Sequence, residues 1–208
     1  MRDARKNAAG AIMMPDRVRA FVALTIAPEV EQAVADFIES MRTARDSRSG
    51  SISWIGRNKL HLTLRFLGDG VAASTLERLD GALAEIATAT ACFSIGIRGI
   101  GAFPNRSRPR VIWVGLESAE LTALANNIER AAVAVGLAPE RRAFAPHLTI
   151  GRVRDLTGWS ELRRAIEAAT DRDFGRTLAR SLILYRSILG SDSSIYEELA
   201  RYRFASGA

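Results

Sequence analysis

Histidine and cysteine are scarce in this sequence, and the few copies present limit what the chain can be. Among 208 residues there are two histidines, His61 and His147, and one cysteine, Cys92. A single cysteine cannot form a disulfide within the chain, which excludes a disulfide-stapled secreted scaffold and predicts a cytoplasmic protein. We expect Cys92 itself to be a small buried hydrophobic residue at the start of a strand.

Long apolar runs are also missing. No stretch approaches the roughly 20 apolar residues that a membrane-spanning helix requires, so no membrane partner is predicted. Residues 1–16 combine basic side chains with an apolar patch too short for a signal peptide, and we interpret them as a disordered leader. No Pro/Gly-rich linker divides residues 17–208, which are predicted to form a single domain with two lobes.

Charge gives only a coarse indication of function. The formal net charge is +6, the sequence pI is about 10.3, and most of the positive charge is arginine spread along the chain. This balance favours anionic partners, nucleic acid among them, but it does not by itself identify one.

The hydrophobic pattern predicts an α+β protein with mostly antiparallel strands, because several β-rich runs are joined by short loops. Residues 59–67 alternate between apolar and polar side chains, as in a strand with one buried face. The predicted strands cover residues 18–27, 51–55, 59–67, 93–100, 110–115, the second histidine motif, 178–189 and 196–204. The predicted helices begin at Pro28 and cover 73–89, 118–135 and 159–169.

Both histidines belong to the same tripeptide, His-Leu-Thr, and the two copies lie 86 residues apart. Each copy follows a helix and a loop, which suggests duplication of a half-domain. On a strand, residues i and i+2 project from the same face, so His61 should project with Thr63, and His147 with Thr149. If the halves pack around a pseudo-twofold axis, two imidazoles and two hydroxyls face each other across a cleft.

Such a cleft suits phosphodiester chemistry. A neutral imidazole can accept a proton from an attacking oxygen, and an imidazolium can donate one to a leaving oxygen. Threonine hydroxyls can donate hydrogen bonds to phosphate oxygens, where negative charge grows in the transition state. No third ligand accompanies the two histidines, so we predict neither a metal site nor a cofactor. Structural histidines and a two-histidine metal site remain alternatives.

The residues around both motifs resemble the 2H phosphoesterase superfamily, with its paired HxTx motifs, and in particular the RNA 2′,3′-cyclic phosphodiesterases, also called 2′-5′ RNA ligases. The similar segments run in order through the chain and are VRAFVAL (18–24), NKLHLTLRFLGD (58–69), IGAFPNRSRPRVIWVGL (100–116), FAPHLTIGRVR (144–154) and LILYRSILGSDSSIYEEL (182–199). The resemblance implies a bilobal α+β fold with two antiparallel sheets flanking a central cleft and helices on the outer faces.

The resemblance also implies an RNA 2′,3′-cyclic phosphate substrate, hydrolysed to a 2′-phosphomonoester without a metal, with 2′-5′ ligation as the reverse reaction. His147 would be the base that activates water, and His61 the acid that protonates the 3′-oxygen. Thr63 and Thr149 would hold the phosphate.

Three further residues are substrate-binding candidates. Arg65 is predicted to share the face of His61 by strand parity, and it could reach a phosphate. Arg152 falls on the opposite face to His147 unless a bulge intervenes at Gly151. Phe103 begins an arginine-rich loop that could stack a base and bind the RNA backbone.

Two alternatives to this enzyme stay open at the level of sequence. One is an RNA-binding module in which the histidines do not catalyse, and the other is a 2H phosphoesterase acting on another cyclic nucleotide or on a 2′-5′ oligonucleotide. A monomer is expected.

Overall fold

The computed structural model of the protein describes residues 15–43, 52–190 and 194–206. The predicted leader therefore lies outside the described residues except for its last two positions. The strands are β1 (Arg17–Leu24), β2 (Ile52–Trp54), β3 (Leu62–Ala72), β4 (Phe93–Phe103), β5 (Val111–Glu117), β6 (His147–Val153), β7 (Asp173–Ala179), β8 (Ser181–Leu189) and β9 (Ser194–Arg203). The helices are α1 (Pro28–Thr43), α2 (Ala73–Thr88), α3 (Glu120–Ala134) and α4 (Trp159–Ala168), with a short 3-10 helix at Arg57–Lys59.

The strands form two antiparallel sheets, which confirms the predicted fold class. The first sheet has the order β3-β1-β8-β9, and the second has the order β2-β6-β5-β4-β7. Each sheet carries one histidine motif: in the first sheet His61 directly precedes β3, which contains Leu62 and Thr63, and in the second sheet the motif begins β6. The single strand predicted over 178–189 is wrong: it is two strands, because the chain leaves the second sheet after Ala179 and enters the first at Ser181.

The helices form where an apolar stripe recurs every three to four residues. In α1, for example, the buried residues are Val30, Val34, Phe37 and Ile38, and Pro28 occupies the first turn, where its missing N–H costs nothing.

Cys92 is less buried than predicted. Its side chain is half-buried and packs against the margin of the core.

Two helices pack against the sheet that belongs to the other half of the chain. The helix α1 follows β1 of the first sheet, yet it packs against β7 of the second. Likewise α3 follows β5 of the second sheet, yet it packs against β3 of the first and against α2. The two halves are therefore joined by packed helices as well as by the chain itself.

A β-bulge interrupts β3 directly after the first motif. Thr63 pairs with Ala23 on β1, but Val22 pairs with Arg65, so Leu64 is an extra residue in β3. An extra residue shifts the alternation of side chains by one from that point on.

A second bulge lies at the same place in β6. Thr149 pairs with Trp113 on β5, and Ile112 pairs with Gly151, which leaves Ile150 as the extra residue. Leu64 and Ile150 are 86 residues apart, like the histidines. The shared register, including the bulge, supports the predicted duplication of a half-domain.

Candidate active site

The two motifs meet in one pocket between the sheets. It is lined by Ile55, Lys59, His61, Thr63, His147, Thr149, Arg152 and Tyr196. The prediction that each histidine projects together with the threonine two residues later is confirmed in both sheets. The predicted cleft with two imidazoles and two hydroxyls is present in the structure.

The two imidazoles are held in the same way. Nδ1 of His61 lies 2.8 Å from the carbonyl oxygen of Lys59, and Nδ1 of His147 lies 2.7 Å from that of Ala145. A carbonyl only accepts hydrogen bonds, so each Nδ1 must carry the proton. In the neutral rings Nε2 is then the nitrogen that can accept a proton, and the two acceptor carbonyls are again 86 residues apart.

Aromatic rings enclose His61. The Phe21 ring centroid is 4.8 Å from that of His61, and the Tyr196 ring meets His61 edge-on at the same centroid distance. Tyr185 stacks on Phe21 behind them. Burial lowers the pKa of His61, the hydrogen bond to the Lys59 carbonyl opposes this, and the positive charge of Arg152 lowers it further.

The ring next to His147 belongs to Phe103, at the end of β4. Its centroid is 5.1 Å from that of His147 with the ring planes perpendicular, and 5.2 Å from the Trp113 ring on the other side. Phe103 does not line the pocket itself, so a stacking contact with substrate remains a prediction. In the adjoining loop, Arg106 donates to the Ile100 carbonyl at 3.0 Å and serves the fold, whereas Arg108 and Arg110 are exposed.

Arg152 lies in the pocket because of the bulge in β6. Simple alternation places it opposite His147, but the extra residue Ile150 returns it to the face of the motif. The condition set from the sequence was a bulge at Gly151; the bulge lies one residue earlier, at Ile150, and has the same effect on Arg152. Arg152 belongs to the second sheet, but its positive charge lowers the pKa of His61 in the first sheet. It therefore acts on the motif of the opposite sheet.

The prediction that Arg65 shares the face of His61 is wrong. The bulge at Leu64 turns Arg65 to the opposite side of β3, where its guanidinium is 8% exposed and pairs with Glu129 of α3. Phe66 occupies the position on the cleft face that corresponds to Arg152, and the Arg19 guanidinium lies 4.5 Å above its ring. Arg65 therefore does not line this pocket.

Sequence reasoning missed Tyr196, Lys59 and Ile55 in the pocket wall. Lys59 stands two residues before His61, so its position carried a signal, although it lies in a 3-10 turn rather than a strand. Tyr196 reaches His61 only because β9 folds back beside β8, which no local pattern in the sequence indicates. Trp54 packs against the core, with its ring over Gly151.

Within residues 15–43, 52–190 and 194–206, no three His, Cys, Asp or Glu side chains are grouped closely enough to hold a metal ion. None of the helices in that same part of the chain is long and apolar enough to cross a membrane.

Two antiparallel sheets that each present a His-x-Thr motif to a shared pocket define a protein of the two-histidine phosphoesterase type. A sequence model of the 2′-5′ RNA ligase superfamily matches residues 29–187. The chain therefore belongs to the 2′-5′ RNA ligase superfamily, and it is an enzyme of the phosphodiesterase class, as the resemblance implied.

Relatives and solved structures agree with this assignment. The chain is 30% identical over 187 residues to the RNA 2′,3′-cyclic phosphodiesterase of Methanocaldococcus jannaschii, covering 89% of this chain and all of the relative. It is 35% identical over 151 residues to the enzyme of the same name from Aeropyrum pernix, covering 70% and 82%. LigT of Escherichia coli, in complex with 3′-AMP, shares the fold with a TM-score of 0.70 at 24% identity, over 90% of this chain and 98% of LigT.

Proposed function

We propose that this enzyme hydrolyses 2′,3′-cyclic phosphate ends of RNA to 2′-phosphomonoesters by two-histidine acid/base catalysis that needs no metal. The observation that carries the proposal is the meeting of both motifs in one pocket, with each imidazole fixed through Nδ1 by a backbone carbonyl. The names of the relatives support the substrate class.

In the proposed reaction, Nε2 of His147 accepts a proton from a water molecule as that water attacks the phosphorus. The bond between phosphorus and the 3′-oxygen breaks, and Nε2 of His61 donates its proton to that oxygen. The 2′-ester bond stays intact, so the product is a 2′-phosphate. The proton gained by His147 returns to solvent, and His61 is protonated again before the next turnover.

The remaining pocket side chains would stabilise the phosphate. The hydroxyls of Thr63 and Thr149 project beside the imidazoles and can donate hydrogen bonds to the two non-bridging oxygens. Arg152 supplies a positive charge between the motifs, which offsets the charge that builds up on the phosphorane. Phe103 would place a base near His147 from the rim of the pocket.

The environment of His61 makes its role as proton donor dependent on substrate. Burial and Arg152 lower its pKa in the free protein, which disfavours the imidazolium. An anionic phosphate beside the ring would have the opposite effect and favour the protonated form. Substrate binding would thus supply the acid at the moment when it is needed.

Ligation would use the same site with the 5′-hydroxyl of a second RNA end in place of water: its oxygen attacks the phosphorus of the cyclic end, the bond to the 3′-oxygen breaks, and a 2′-5′ linkage forms. The superfamily name supports it as the second activity. Since one chain supplies both motifs, we propose that the enzyme acts as a monomer. The single Cys92 thiol is compatible with the cytoplasm as its place of action.

The test is turnover of an RNA with a 2′,3′-cyclic end by the wild-type enzyme, His61→Ala and His147→Ala. Loss of either imidazole should lower kcat by about 10²–10⁴-fold, while circular dichroism stays unchanged. The exposed Asn126 on α3 provides a control, since Asn126→Ala should be as active as the wild type. Unaltered turnover in either histidine variant contradicts the proposal.

Product analysis and a chelator complete the experiment. The product should be the 2′-phosphate, separable from the 3′-phosphate by chromatography, and EDTA should not reduce the rate. RNA binding by the wild-type protein without turnover would favour a non-catalytic binding module. Preference for a 2′-5′ oligonucleotide would reassign the substrate.

A further inference from the structure

Arg65 is the one arginine on β3, its side chain is buried, and nothing in the proposed reaction uses it. Its guanidinium forms an ion pair with Glu129 and lies 3.6 Å from an oxygen of Glu140. It also donates to the carbonyls of Phe66 and of Ala138, the latter at 2.6 Å. A buried charge is tolerated only when it is paired and hydrogen-bonded, so this arrangement is specific.

The partners of Arg65 come from the other half of the chain. Glu129 lies on α3, while Ala138 and Glu140 lie in the segment 135–146 that connects α3 to β6. This segment contains no helix or strand, so side-chain contacts must fix its path. Glu129 completes the arrangement, since its second oxygen accepts a hydrogen bond of 2.8 Å from the Glu140 backbone N–H.

The same segment ends at the second catalytic candidate. Its residue Ala145 supplies the carbonyl that fixes Nδ1 of His147, five residues after Glu140. Arg65 in turn stands two residues after Thr63 on β3. The guanidinium therefore links the strand of the first motif to the backbone that orients the second imidazole.

We propose that Arg65 is a positioning residue that sets the placement of His147 relative to His61. The part of this inference that is tested by enzyme activity rests on the proposed function. The second half of the molecule makes no matching contact, because the position equivalent to Arg65 is Gly151. There the Trp54 ring would lie 3.0 Å from an added Cβ atom, so a side chain would require the indole to shift.

Three variants test the contact. Arg65→Met keeps the unbranched apolar part of the side chain but leaves the carboxylates of Glu129 and Glu140 without a cation between them. We expect kcat to fall about 10- to 100-fold, because small errors in the placement of a catalytic group are costly, with KM within about threefold of the wild type. Arg65→Lys should retain part of kcat, since one ammonium replaces the charge but not the planar fork. Glu129→Gln should lie between the two.

A structural readout makes the test independent of turnover. The chain has two histidines, so a ¹H–¹³C spectrum of imidazole Cε1 groups contains two signals, assigned with the alanine variants. Arg65→Met should shift or broaden the His147 signal more than the His61 signal. The control is Arg186→Met, which removes another half-buried ion pair, with Glu197, on the outer face of β8. It should affect stability without affecting the His147 signal.

The outcomes separate the two proposals. If Arg65→Met lowers the unfolding midpoint while kcat and the His147 signal stay as in the wild type at the same folded fraction, the positioning role is overturned. If the wild-type protein does not turn over the cyclic phosphate but the His147 signal still responds to Arg65→Met, the function fails and the positioning role stands.

Discussion

The close packing of Gly101 against Trp113 gives a quantitative test of the ring packing behind His147. The two residues are paired across β4 and β5, and the indole lies over the glycine. A Cβ atom added at Gly101 would lie 2.2 Å from Cζ2 of Trp113 and 2.4 Å from Cη2. To reach an ordinary carbon–carbon contact of about 3.5 Å, the ring must move by at least about 1.3 Å.

The indole has little room to move. The Phe103 ring lies 5.2 Å away, and Phe103 in turn contacts His147. Overpacking of this kind costs about 1–3 kcal/mol, from which the backbone preference for alanine over glycine in a strand subtracts about 0.5–1 kcal/mol. We therefore expect Gly101→Ala to lower the free energy of unfolding by about 1–2 kcal/mol and to reduce turnover through the displaced Phe103.

Urea unfolding followed by far-ultraviolet circular dichroism measures this loss without relying on tryptophan fluorescence. Gly81→Ala is the matched control: no atom lies within 4 Å of its added Cβ on α2, so it should stabilise by about 0.5–1 kcal/mol. In a Trp113→Leu background, Gly101→Ala should cost much less. An equal loss in both backgrounds would refute the reasoning, because the cost would then not arise from the indole.

Three further predictions concern the charges and rings around His61. Removing the nearby positive charge with Arg152→Met should raise the pKa of His61 and move the alkaline limb of the kcat/KM profile to higher pH, and an unmoved limb would contradict this. Because the folded-state pKa of His61 is lowered, the stability that it contributes is present above about pH 6.5 and is lost as the pH falls. His61→Gln should lack that part of the pH dependence of the urea midpoint, and a dependence equal to that of the wild type would argue against the linkage. Tyr196→Leu removes the edge-on ring beside His61 and should change kcat, whereas Tyr196→Phe should be close to the wild type unless the hydroxyl contacts substrate.

The sequence was sufficient for the features that depend on local alternation. The two-residue period of a strand predicted that His61 and Thr63 project together, and likewise His147 and Thr149. The same period gave the fold class, because its runs are short and separated by helical patterns. These inferences hold because each needs only a few consecutive residues.

The arginines show where local alternation stops being enough. A one-residue bulge reverses the face of every later side chain until the next irregularity, and Leu64 gives no sign of one. Gly151 did give a sign, since glycine inside a strand often marks a bulge or a close contact. The face on which Arg152 lies was therefore predicted under a stated condition, and the face on which Arg65 lies was predicted wrongly, for the same structural reason.

Contacts between distant strands could not be inferred at all. Tyr196 reaches His61 through the order β3-β1-β8-β9, in which β9 is the strand farthest from the motif in the sheet. The change of sheet after Ala179 has no proline or glycine at Arg180 to mark it. Long-range pairing of this kind is set by how the hydrophobic faces of both sheets are buried together, which is a property of the whole chain.

The duplicated bulge also explains how two identical tripeptides come to have different surroundings. In β6 it turns Arg152 into the pocket and places Gly151 behind it, whereas in β3 it turns Phe66 toward the cleft and places Arg65 behind it. The backbone is thus symmetric at the histidines and asymmetric one step beyond them. Acid and base roles at one pH require titratable groups in unlike environments. Enclosure of His61 by rings on two sides, with Arg152 across from it, makes its surroundings unlike those of His147, while both imidazoles keep the same hydrogen bond from Nδ1 to a backbone carbonyl.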